Sequence, residues 1–147
     1  MWTGLVLAWT CLQGPETAAR QELDKLQGRW IATSLQVRGR SATPADLETL
    51  QFTLELDGTT LKFGPAAAQK VAQIRVDPSR TPKALDLSVK DEAGRTKVLL
   101  AIYKLDGDTL TLCLTSDSER VARPSEFHTD AESGTTLVVL RRAAAKP

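Results

Sequence analysis

Along most of this chain apolar and polar residues alternate with the two-residue period of half-buried strands. Phe52, Leu54 and Leu56 alternate with Thr53 and Glu55, Leu85, Leu87 and Val89 with Asp86 and Ser88, and Leu110, Leu112 and Leu114 with Thr111 and Cys113. Eight strands are predicted, over residues 28–37, 52–56, 61–63, 71–76, 85–89, 98–105, 110–114 and 137–142. The first alternates imperfectly, because Ile31, Leu35 and Val37 share one parity and Trp30 takes the other; a bulge, or burial on both faces, accounts for this. Residues 98–105 are nearly all apolar and predict a strand covered on both faces.

Breaks in this pattern supply the turns. Asp57-Gly58 and Asp106-Gly107 predict tight hairpins. Asp77-Pro78-Ser79-Arg80-Thr81-Pro82 and residues 91–94 predict longer turns, and 116–134 a long polar loop broken by Phe127. Helical spacing occurs twice. Residues 21–27 predict a short amphipathic helix carrying Leu23 and Leu26. Residues 43–50, after the first strand, predict a second, with Thr43 as N-cap, Pro44 in the first position and Asp46 closing a short capping box. Short connections require antiparallel neighbours. The fold expected is therefore all-β: an antiparallel, eight-stranded, closed up-and-down barrel with one short helix after the first strand, an open sandwich being the alternative.

The opening twelve residues follow neither period. Residues 5–12 are largely apolar, no charge precedes Glu16, and small residues follow at Thr17, Ala18 and Ala19. Their length suits a signal-peptide core and is too short to span a bilayer, although no Lys or Arg precedes them. The organisation expected is a signal peptide at 1–19, a barrel domain at 20–142 and a disordered tail at 143–147. Localisation is then periplasmic or secreted, or cytoplasmic if the first segment is not a signal. Lipidation at Cys11 is disfavoured by Trp9 and Thr10 before it. Cleavage after Ala19 would remove Cys11 and two of three tryptophans, so that no internal disulfide could form.

Composition narrows the function. The 147 residues hold 19 Lys plus Arg and 18 Asp plus Glu, a formal net charge of +1. Nucleic-acid binders show clear basic excess, so no nucleic-acid partner is expected. Stable membrane insertion is not expected either. With one histidine and two cysteines, the common zinc sets cannot be assembled, and neither metal nor cofactor is expected. His128 lies within four residues of Ser125 and Glu126, too crowded for a catalytic triad. Cys113 opposes its leucine neighbours and reads as an inert packing thiol. Asp57, Asp106 and Asp108 are explained by turn chemistry and lack the further oxygens of a calcium loop. Arg75, Arg80, Lys83, Lys90, Arg95 and Lys97, interleaved with acids, read as a solvated face.

Gly28-Arg29-Trp30 resembles the Gly-x-Trp opening of lipocalin-like barrels. That resemblance implies a packed barrel end made by Gly28, Trp30 and either Arg141 or Arg142, the arginine lying over the indole. A broader likeness joins Leu26-Gln27-Gly28-Arg29-Trp30, Asp77-Pro78-Ser79 with Pro82-Lys83-Ala84-Leu85-Asp86-Leu87, the run from Ile102-Tyr103-Lys104-Leu105-Asp106-Gly107-Asp108 to Leu114, and Arg123-Pro124-Ser125-Glu126-Phe127. In this order and spacing they resemble an uncharacterised lipocalin-like domain family abundant in planctomycete bacteria, whose members occur alone behind signal peptides or fused to other domains. The resemblance spans about 21–142. It implies a lipocalin-like barrel and a bacterial source, and favours export, but carries no activity and no catalytic residues.

The function expected is non-catalytic binding of a small apolar or amphipathic molecule inside the barrel, with Trp30, Phe52, Phe63 and Tyr103 as candidate lining residues. A cell-envelope protein-interaction module is the alternative. An enzyme is not expected.

Overall fold

The computed structural model describes residues 15–115, 122–132 and 134–143. The tail expected at 143–147 thus lies outside the described residues beyond Ala143, as does the apolar run at 5–12, whereas Thr17, Ala18 and Ala19, the expected cleavage zone, are described and helical. Helix α1 (Pro15–Leu26) leads into a meander of strands: β1 (Gly28–Val37), β2 (Arg40–Ser41), β3 (Thr53–Asp57), β4 (Thr60–Gly64), β5 (Lys70–Asp77), β6 (Lys83–Lys90), β7 (Thr96–Asp106), β8 (Thr109–Thr115) and β9 (Thr135–Arg142). Helix α2 (Pro44–Leu50) interrupts it after β2.

Each strand from β3 to β8 pairs antiparallel with the next, β1 pairs with β3, and β1 also pairs with β9. That last pairing, from Trp30 opposite Arg142 to Val37 opposite Thr136, closes the sheet. The eight expected strands form the barrel, and β2 is a two-residue ribbon on the end of β1. The uneven pattern of β1 is a bulge between Ala32 and Ser34. It turns Trp30 and Leu35 into the same core although five residues, an odd number, separate them.

The turns differ in one detail from the expected Asp-Gly pair. Asp57 pairs with Thr60, so the two loop residues are Gly58 and Thr59. Gly58 takes the first position at a φ of 63°, where an L side chain is strained, and Gly107 does the same at 60°. In α2 the capping box is complete: Thr43 Oγ1 accepts from Asp46 N, and Asp46 Oδ2 accepts from Thr43 N. Helix α1 starts at Pro15, six residues before the apolar spacing alone predicts.

The core is the barrel interior. Trp30, Leu54, Leu56, Leu61, Ile74, Val76, Leu85, Leu87, Tyr103, Leu110, Leu112, Val138 and Leu140 fill it. A smaller buried row lies outside, on β6, β7 and β8: Ala84, Ile102 and Cys113 pair across in register and are buried. Segment 122–132 covers this row. Arg123 donates to the carbonyls of Ala101 (2.8 Å) and Leu85 (3.3 Å) and to Asp86. Cys113 Sγ donates to His128 O at 3.6 Å, and Lys104 Nζ lies 4.8 Å from the centre of the Phe127 ring. So β7 is covered on both faces at Ile102, whereas Val98 near its start is exposed.

Candidate functional site

The two ends of the barrel are built differently. At one end α1 lies across the opening and its last carbonyls, orphaned as at every helix C-terminus, are taken up by side chains. Trp30 Nε1 donates to Leu26 O at 3.0 Å. Arg142 donates to Lys25 O and Gln27 O, both at 2.8 Å. Gln27 donates to Leu23 O and Gly58 O and accepts from Gly58 N. The Arg142 guanidinium lies 4.2 Å from the centre of the Trp30 ring, and its Nε is 3.4 Å from Asp108. Of the two arginines left open by the sequence, Arg142 therefore covers the tryptophan. Arg141 pairs with Ile31 and faces solvent. A Cβ on Gly28 would stand 3.6 Å from the Arg142 guanidinium.

Glu22 completes this end, and sequence reasoning missed it. The carboxylate is buried, 8% exposed, yet accepts from Lys83 Nζ (2.8 Å) and Tyr103 OH (3.0 Å), with Lys25 Nζ 3.6 Å away. Burial alone would raise its pKa, but the bonds from Lys83 and Tyr103 and the charges of Lys83 and Lys25 outweigh burial and hold it below the usual value. Burial and the adjoining carboxylate push the Tyr103 phenol well above its usual range. The readable signal was the spacing of Glu22 and Leu26, four apart on one helix face. Lys83 accordingly leaves the solvated face expected for it.

Between the ends the interior is packed. The void bordered by Leu26, Leu54, Leu61, Tyr103 and Leu112 measures about 20 Å3, room for about one water.

Among the described residues the opposite end is open. An open cavity of about 920 Å3 lies between β4 and β8, within the size range of small-molecule sites. Phe63, Ala72, Val89, Leu99 and Leu114 give it an apolar lining, bordered by Thr136 and by Thr115, whose buried hydroxyl accepts from Leu100 N. Lys70, Lys90, Lys97, Asp91 and Glu92 border it. On the remaining side α2 packs Leu47 against the core together with Ala42 and Phe52.

The four aromatic candidates thus separate. Phe63 borders the cavity. Phe52 is half-buried beneath α2 and is not among the bordering residues. Trp30 and Tyr103 belong to the packed end, far along their strands from the opening.

A second groove of about 590 Å3 runs between α1, β5 and the following turn. Its charges are largely spent on one another, Arg80 with Asp77 at 3.3 Å and Arg123 with Asp86. His128 is 68% exposed, with Asp130 at 3.8 Å, and Ser125 and Glu126 are exposed beside it. Cys113 is a buried free thiol whose pKa burial raises. Among the described residues no three His, Cys, Asp or Glu side chains gather as a metal site, and no helix is long and apolar enough to cross a membrane.

A scan against protein-family models and searches of curated proteins and of solved structures found no match to this chain.

Proposed function

We propose that this barrel is an exported, non-catalytic binding domain that takes a small apolar or amphipathic molecule into its open end. The observation that carries the reading is the asymmetry of the interior: one end is packed and covered by α1, and the other holds a cavity of about 920 Å3 with an apolar lining. Apolar area left facing water in a concave site is what a ligand of matching polarity covers with gain. On this reading Phe63, Leu99 and Leu114 contact the ligand, while Trp30 and Tyr103 hold the barrel in shape. Export rests on the apolar opening segment and the family resemblance, and N-terminal sequencing of the mature protein tests it.

The alternative, a protein-interaction module of the cell envelope, draws less support. Among the described residues the exposed large apolar side chains are Ile31, Val37, Leu50, Val71 and Val98. Ile31 and Val37 share β1 but stand six positions apart, Leu50 is on α2, and β6 lies between Val71 on β5 and Val98 on β7, with the polar Ser88 opposite Val98. No contiguous patch of the kind that marks such interfaces results.

Titration with the neutral fluorophore N-phenyl-1-naphthylamine tests binding directly. Saturable fluorescence enhancement is expected, weakened several-fold by Leu99→Ala and unchanged by Arg141→Gln. Absence of saturable binding, with the protein folded by circular dichroism, overturns the proposal.

A further inference from the structure

The cavity at the open end stops at one level. On four strands the inward residue at its wall is half-buried: Phe63 on β4, Val89 on β6, Leu99 on β7 and Leu114 on β8. Two positions further into the barrel, the next inward residues are Leu61, Leu87, Ala101 and Leu112. Each is no more than 3% exposed, and none of the four borders the cavity. Strand β9 follows the same rule, with Thr136 at the wall and the buried Val138 beneath it. Because the strands are tilted, wall and floor positions meet across the ladder: Leu99 lies opposite Leu87, and Leu114 opposite Ala101. The change from open wall to packed interior thus takes one inward step on each of these strands, about 7 Å along the strand.

Below that step the packing is continuous with the core. The void of about 20 Å3 further in is bordered by Leu61 and Leu112 but by no residue of the cavity wall. Leu87, Ala101 and Val138 border neither space. An eight-stranded barrel has an interior that side chains can fill or that can hold one small ligand, and here the two outcomes are stacked, one above the other. A volume of about 920 Å3 over so short a depth makes the cavity a broad cup and not a channel.

We infer that Leu87, Ala101 and Val138 act as a stop that limits the length of the occupant's apolar part, so that the ligand is a ring system or a short chain and not a long acyl chain. This inference rests on the binding reading above and adds the size of the molecule. A saturated chain with bonds of about 1.5 Å spans the depth of the cup with about six carbons. Each methylene that reaches the lining strengthens binding about fourfold, and each one left in water adds nothing.

Butanol, hexanol, octanol and decanol, which differ in length alone, test the limit as competitors of N-phenyl-1-naphthylamine. Displacement is expected to strengthen about tenfold or more from butanol to hexanol, and by less than about threefold from octanol to decanol. An unbroken slope, about sixteenfold over that last pair, overturns the length limit and leaves binding intact. Two variants locate the stop. Leu87→Ala lowers it and should raise the gain from octanol to decanol to about tenfold. Val89→Phe fills the cup from its half-buried wall, where a larger side chain has room, and should weaken hexanol at least fivefold more than butanol. If Leu87→Ala fails to fold by circular dichroism, Val89→Phe decides alone. A folded variant with the wild-type length profile overturns the inference. Failure of the fluorophore and of all four alcohols overturns the binding reading as well.

Discussion

The covered end and the open end of this barrel are made from the same strands, yet they spend their residues differently. At the covered end every buried polar side chain among the described residues has a partner: the Trp30 indole, the Arg142 guanidinium, the Glu22 carboxylate and the Tyr103 phenol are all bonded, and the carbonyls at the helix end receive the donors. At the open end the large apolar side chains are only half-buried, and charged ones border the cavity. Satisfied polar networks and close packing stabilise and specify a fold. Half-buried apolar surface does neither, so its retention fits a role outside folding. Stability and binding are therefore expected to separate along the barrel axis, and substitutions at the two ends should fail in different assays.

The sharpest break of that comparison is Trp30→Ala. It removes a fully buried indole and its bond to Leu26, and should cost about 3–5 kcal/mol in urea unfolding. A loss of under about 1 kcal/mol would mean that the covered end is not the stability centre. Arg142→Ala comes next. It deletes bonds to the carbonyls of Lys25, in α1, and of Gln27, just after it, and the contact with the Trp30 ring at a partly exposed site, for about 2 kcal/mol. Protease cleavage within α1 should rise in this variant before the barrel melts. Glu22→Gln should cost about 1 kcal/mol at neutral pH, since the amide keeps one acceptor but loses the charge.

The same group predicts pH dependence. Folding holds the Glu22 carboxyl below its ordinary value of 4.5, so its contribution is complete above that pH and is lost as the pH falls through the folded value. Tyr103 acts at the other limit. Its pKa is raised above the ordinary 10.0, so stability is complete below pH 10 and declines as pH rises past it. Melting temperatures of the wild type should fall at both extremes. Glu22→Gln should flatten the acid limb and Tyr103→Phe the alkaline limb, each without altering fluorophore binding at neutral pH. The smallest stability effect belongs to the open end. Leu99→Ala, half-buried beside a cavity, should cost less than about 1 kcal/mol while weakening fluorophore binding several-fold.

Much of the fold was legible because alternation is strong wherever one face is buried. The eight strands, the Thr43-Pro44-Asp46 helix start and the irregularity in β1 all follow from local pattern. What escaped depended on pairing. Arg142 and Arg141 are indistinguishable until the register sets Trp30 opposite Arg142. Glu22 gains its meaning only from Lys83 and Tyr103, 61 and 81 residues away. The rim lysines escaped for a different reason. Reading strands from their first apolar residue starts them at Val71 and Val98, and so discards Lys70 and Lys97, which border the cavity. The aromatic residues misled in the opposite sense, since Trp30 and Tyr103 look the same in sequence whether they line a cavity or fill a core.

The pairing of β1 with β9 also sets an order of events in time. Trp30 is synthesised early, but the strand that shelters it, ending in Arg142, is synthesised more than a hundred residues later. Until then β1 and β8 both present unpaired edges, and the interior cannot shut out water. Such distant pairing slows folding, and ribosomes add only about 5–20 residues per second. Closure of the barrel therefore waits, for several seconds of synthesis, on the emergence of β9.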